Sequence, residues 1–133
     1  MSSKYVYPVI FTPEKKGGYS VSFPDLEGCY TCGDNLEDSL EMAEDALALF
    51  LYEYEKAGQT IPEPSKRETI IINSNEFINY IVCDTMGYRK RYRNKAVKKT
   101  LTIPEWLNEE ATALGINFSQ VLQDALKEQL HII

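Results

Sequence analysis

Three groups of residues in this 133-residue chain have types and spacings that could do chemistry. The first lies in VKKTLTIPEWL, residues 97–107, where Lys98, Thr100 and Thr102 alternate with Lys99, Leu101 and Ile103. In an extended strand, alternation at a period of two puts the lysine and both threonines on one face and the apolar pair on the other. That polar face can donate to and accept from base edges, and a two-stranded ribbon of such strands fits the major groove of B-form DNA. The second group is Asp25, Glu27 and Asp34 in FPDLEGCYTCGDN, carboxylates of the kind that hold magnesium for phosphodiester cleavage. Turn and cap roles account for Asp25 and Asp34, and no set of acids on separate strands is visible. The third group is Cys29 and Cys32, a lone C-x-x-C that would make half a zinc site or a redox pair. No second pair exists, Cys83 is distant in sequence, and the sole histidine, His131, sits in an apolar carboxy-terminal stretch. Neither metal nor other cofactor is expected, and strand packing accounts for the thiols. With His131 isolated, no nucleophile-and-base arrangement presents itself, and the chain is not expected to be an enzyme.

The threonines need an element to present them, and the tail, residues 97–133, supplies one. Pro104 suits the first turn of a helix, along which Leu107, Ala111 and Leu114 recur at spacings of four and three until Gly115 stops it. Asn117 can cap a second helix, with Gln120 at the reciprocal capping position and Ile116 against Val121 as a staple. Phe118, Val121, Leu122, Ala125 and Leu126 continue the apolar stripe to about Leu130. One short strand and two amphipathic helices leave most apolar surface wet, so the unit is expected to pair with a second copy. Antiparallel strand pairing turns Leu101 and Ile103 into the joint helical core and leaves Lys98, Thr100 and Thr102 outward. Lys99 at the ribbon and the helix start at Asn117, Phe118 and Ser119 would then face phosphate, since first-turn amides lack intrahelical acceptors.

Residues 1–85 read as a compact α/β unit. YVYPVIFT is a strand by β-branched and aromatic content, and Pro8 calls for an edge position or a ladder site needing no donor. PEKKGG is a hairpin turn, YSVSF alternates cleanly, and GCYTC is a third short strand. Asp34 with Glu37 forms a capping-box-like start to a long helix, which carries Leu36, Leu40, Ala43, Leu47, Phe50, Leu51 and Tyr54 on one face. Glu37, Asp38, Glu41, Glu44 and Asp45 fall mostly on the other face, and Gly58 with Pro62 ends the helix. ETIIIN and FINYIVC read as two more strands, completing one sheet with a helix across it. Residues 86–96 show no apolar periodicity and read as an exposed basic linker.

Charge is sorted along the chain more sharply than its net value of −6 suggests. Residues 1–85 hold 15 acids against 6 bases, residues 89–99 hold seven bases and no acid, and residues 100–133 hold five acids against one lysine. The acidic domain favours a basic partner, while the basic run favours an anionic one. No apolar run is long enough to span a bilayer, and the amino terminus lacks a signal peptide's apolar core, so a cytoplasmic, membrane-free protein is expected. Three cysteines in such a chain argue against a disulfide framework.

Residues 97–132 resemble the ribbon-helix-helix DNA-binding fold. The first half resembles the amino-terminal domain of HicB antitoxins, through the aromatic strand, the hairpin, Phe23-Pro24-Asp25-Leu26-Glu27-Gly28-Cys29, and the helix entry Gly33-Asp34-Asn35. Glu27 stands where the family usually has proline, and Asn35 where it usually has threonine; neither change touches the capping or core logic. The resemblance implies an α+β chain: a small antiparallel sheet with one long helix, similar to a degraded ribonuclease H fold, followed by the ribbon-helix-helix unit. It also implies an antitoxin that binds and inhibits a HicA-like mRNA-cleaving ribonuclease toxin and represses its own operon. The implied partners are that toxin, operator DNA and a second copy of the chain, with a tetramer left open; Asp25 and Glu27 are the residues nominated to meet the toxin. A ligand-responsive ribbon-helix-helix regulator without a toxin stays open as the alternative.

Overall fold

The computed structural model describes residues 3–132. The chain divides into two compact units, Met1–Lys95 and Ala96–Ile133.

In the first unit, β1 (Lys4–Pro13), β2 (Tyr19–Ser22), β3 (Tyr30–Gly33) and β4 (Phe77–Asp84) form an antiparallel sheet in the order β3-β2-β1-β4. The first helix, α1 (Leu36–Ala57), packs on the face that carries Tyr7, Val9, Phe11, Val21, Ile81 and Cys83. Those side chains meet Ala43, Leu47, Ala48 and Leu51 to make the core. Two periodicities thus lock together: Tyr7, Val9 and Phe11 of β1 alternate into the core, and α1 is buried at spacings of three and four. Phe11 stacks on Phe77 at 5.1 Å between centroids, with Tyr19 edge-on to both, and closes the core at that end.

β1 is central, not an edge. Pro8 is tolerated because the β2 ladder spans only Ile10–Pro13 of β1, so on that side no donor is required of it. The segment between β2 and β3 folds inward, with Phe23, Leu26 and Cys29 buried and the amides of Leu26 and Cys29 donating to the carbonyls of Phe23 and Leu26. Gly33 ends β3 against α1, where a Cβ would lie 2.5 Å from the Ser39 backbone. The helix cap falls one residue later than the spacing predicts: Asn35 accepts from the Asp38 amide at 2.8 Å, and Asp38 accepts from the Asp34 amide. Gly58 closes α1 in the left-handed region with φ 68°.

Two expectations fail in this unit. ETIIIN is not a strand: Arg67–Thr69 forms a short 3₁₀ turn, Ile70 is buried and Ile71 is 92% exposed. Residues 86–96 are not simply a linker, because α2 (Thr85–Tyr92) follows β4 directly, capped by Asp84 accepting from the Met86 amide. Tyr88 rests on Tyr52 and Tyr92 at 5.5 and 4.9 Å between centroids, and Arg89 donates to Glu55 at 2.9 Å, which holds α2 on α1.

The second unit consists of α3 (Glu105–Ala113) and α4 (Phe118–Gln129) after an irregular approach. The strand expected at residues 97–103 is absent from the single chain, which offers it no ladder partner. Gly115, at φ 69°, closes α3: its amide donates to Thr112 and the Ile116 amide donates to Ala111. Asn117 caps α4 by accepting from the Gln120 amide at 3.1 Å; the Gln120 side chain reaches forward to Asp124 instead of back to the cap.

Candidate functional site

The second unit has no buried residue among those described. Lys98, Thr100 and Thr102 are exposed, as are Leu101 and Ile103 at 63% and 45%. Leu101 and Ile103, together with Phe118, Val121, Leu122 and Ala125, line an open groove of about 490 Å³, with Lys99, Asn108 and Ser119 at its margin. Single scattered apolar side chains on a surface are ordinary; a contiguous groove of them is a face awaiting a partner. At the start of α4, the Asn117 side chain satisfies the Gln120 amide and leaves the first-turn amides of Phe118 and Ser119 without an intrahelical acceptor. Leu114, expected in the apolar stripe, is 80% exposed.

The residues nominated in the acidic turn separate. The Asp25 carboxylate accepts from the Ser65 amide at 3.0 Å and from the Ser65 hydroxyl, pinning the segment after α1 to the β2–β3 turn. Glu27 is exposed, and so are Glu37, Glu41, Glu44 and Asp45 on the outer side of α1.

Among the described residues, no three His, Cys, Asp or Glu side chains lie close enough together to hold a metal ion. Burial pushes the Cys29 thiol up to about 11. Cys83 rises to about 12, through burial first and then the charge of Glu44. Both are therefore held as thiols at neutral pH and are poor nucleophiles. Cys32 is the exposed cysteine.

The sequence reading missed a cluster around Glu55. Its carboxylate accepts from the Tyr5 hydroxyl at 2.7 Å, the Thr85 hydroxyl at 3.0 Å and Arg89 at 2.9 Å, and so joins β1, α1 and α2. Arg89 and Arg93 lie over the Tyr52 ring at 5.3 and 5.2 Å. The available signals were Asp84 as a helix cap and the i, i+4 tyrosines Tyr88 and Tyr92.

These features define a two-part chain: an α+β domain with a closed core, followed by a helical tail with an unfilled apolar face. Among the described residues no helix is long and apolar enough to cross a membrane. The model of the HicB-like antitoxins of bacterial toxin-antitoxin systems matches residues 7–121, and the chain belongs to that family. It is 47% identical over 58 residues to Antitoxin HicB 1 of Photorhabdus laumondii, a match covering 44% of this chain and 37% of that protein. The chain thus spans less than half the length of this curated relative. The fold is similar to the toxin-antitoxin complex from Streptococcus pneumoniae, at TM-score 0.63 and 26% identity over 95% of this chain and 99% of that one. It is also similar to a chain of the HicA3 and HicB3 toxin-antitoxin complex, at TM-score 0.50 and 22% identity over 60% of this chain and 99% of that one.

Proposed function

We propose that this chain is an antitoxin that captures a HicA-like ribonuclease toxin through its first unit and represses its own operon through a dimeric ribbon-helix-helix tail. The observation that carries the tail assignment is the open apolar groove lined by Leu101, Ile103 and Phe118, in a stretch where Lys98, Thr100 and Thr102 are exposed. A twin laid antiparallel along residues 98–103 supplies both the ladder partner and the apolar cover that one chain lacks. The paired strands then present six polar side chains to the major groove, while Lys99 and the amides at Phe118 and Ser119 take phosphates beside it.

The toxin assignment is supported by family membership and by charge. A protein that cleaves RNA must attract a polyanion, and the first 85 residues present 15 acids against 6 bases. Glu27 and the exposed acids of α1 give such a toxin a complementary surface, which speeds capture and makes it salt-sensitive. Asp25 acts in this reading by holding the turn that presents Glu27.

The test combines two measurements on one set of variants. Thr100→Ala with Lys98→Ala is expected to weaken binding to DNA from upstream of the reading frame while leaving rescue from toxin-induced growth arrest intact. Unchanged DNA affinity at moderate salt removes the groove-reading face, and failure of the wild-type chain to rescue removes the antitoxin assignment.

A further inference from the structure

We infer that α2 is a second DNA-facing surface, with Lys90, Arg91 and Lys95 contacting backbone phosphates that flank the groove read by the tail. The inference rests on the DNA-binding reading above and extends it into the last helix of the first unit.

The positive charges of this stretch fall into two sets. Arg89 is committed, donating to Glu55 and lying over Tyr52; Arg93 lies 4.0 Å from Glu53 and over the same ring. Lys90, Arg91 and Lys95 are exposed and form no ion pair within the described chain. Arg91 touches the Tyr92 ring and shares a hollow of about 130 Å³ with Glu44 and Asp45 without closing on either. The helix macrodipole favours cations in the last turn, where Arg89, Lys90 and Arg91 lie. That accounts for the position of Lys90 and Arg91, but not why neither closes an ion pair on a chain carrying 20 acids. Lys95 lies beyond the helix and gains nothing from the dipole.

Chain length brings these cations to DNA. Lys98 lies three positions after Lys95, at most about 10 Å of extended backbone, and eight positions after Lys90, at most about 28 Å. The major groove is about 12 Å wide, and duplex DNA carries one charge per roughly 1.7 Å of axis. Once Lys98 is in the groove, a cation tethered this closely is confined among phosphates.

Electrostatics gives the same answer from the other direction. Residues 1–85 carry 15 acids and 6 bases, so that body is repelled by a polyanion beside it. The five bases of residues 89–95 are the surface it can turn towards the duplex.

The experiment measures affinity of the full chain for a mixed-sequence duplex and for the upstream duplex across a range of salt, comparing wild type with Lys90→Gln/Arg91→Gln/Lys95→Gln. The slope of log K against log salt is expected to flatten by about 0.9 per lost phosphate contact, hence by at least about 1.8 for one contact on each of two protomers. The charge-keeping variant Lys90→Arg/Arg91→Lys/Lys95→Arg should retain the wild-type slope, and so should Lys15→Gln/Lys16→Gln in the β1–β2 turn. A smaller flattening overturns the inference while leaving the tail reading standing, and an equal flattening in the Lys15/Lys16 variant overturns the location. A wild-type chain that binds neither duplex sinks the DNA-binding reading and this inference with it.

Discussion

Truncation of Phe118 to alanine tests whether the groove in the tail is half of a shared core. Complete burial of a phenylalanine side chain is worth up to about 3 kcal/mol. Phe118 is still 46% exposed in the single chain, so the part a partner would cover is worth about 1 kcal/mol. A two-fold interface contains the residue twice, which makes about 2 kcal/mol per dimer and about 30-fold in the dissociation constant. A cavity left between well-packed helices adds to this, so the figure is a lower bound. Sedimentation equilibrium over a concentration series gives the constant directly, and circular dichroism at each concentration reports whether tail helicity falls as dimers separate. The reasoning is refuted if the wild-type chain is monomeric at micromolar concentration with its helices intact, or if Phe118→Ala shifts dissociation by less than about threefold.

Glu55→Ala removes one carboxylate from three donors, Tyr5, Thr85 and Arg89, and should cost the first unit about 2 kcal/mol or more, seen as a fall of roughly 8 °C or more in its unfolding midpoint. A midpoint within 2 °C, roughly what 0.5 kcal/mol would give, refutes the role of that cluster. The Tyr5 and Tyr7 hydroxyls are both raised from 10.0 to about 12, by burial first, then by the Glu55 hydrogen bond for Tyr5 and the Asp25 charge for Tyr7. Because the unfolded chain ionises first, their contribution is complete below pH 10 and is lost as pH rises from about 10 to 12; a denaturant midpoint constant across that window contradicts the assignment. Thiol titration of the native chain should modify Cys32 rapidly and reach Cys29 and Cys83 only on unfolding, with three equally fast thiols as the refuting result.

What the sequence disclosed of this fold follows from where its periodicities were clean. Alternation in YSVSF and the three-and-four spacing from Leu40 to Tyr54 each reflect burial on one face of one element, and β2 and α1 stand where that reasoning puts them. The misreadings occur where local pattern and burial part. The triplet Ile70, Ile71 and Ile72 has strand composition, but a strand needs a ladder and β4 already fills the place beside β1; one isoleucine is buried and the next points to solvent. α2 escaped notice because it docks through tyrosine rings and an arginine, which leave no apolar stripe to count. Asp25 looked available because its partner, Ser65, is 40 residues away. The groove in the tail was legible because it is built from neighbours in sequence; the Glu55 cluster was not, because it joins residues 5, 55, 85 and 89.

The two units place their apolar residues so differently that their folding must respond differently to concentration. In the first, Tyr7, Val9, Phe11, Leu47 and Leu51 are at most 1% exposed, and the sheet and helix close around them without help. In the second, Leu101, Ile103, Leu107, Phe118, Val121 and Leu126 all keep at least 41% of their surface in water. Anything that covers those side chains stabilises the tail by mass action, and in the proposed function that cover is a second copy of the chain. Dilution should then loosen the tail while leaving the first unit folded. In the proposed function this makes DNA binding depend more steeply on protein concentration than toxin capture does, since only the DNA-binding surface is assembled from two chains.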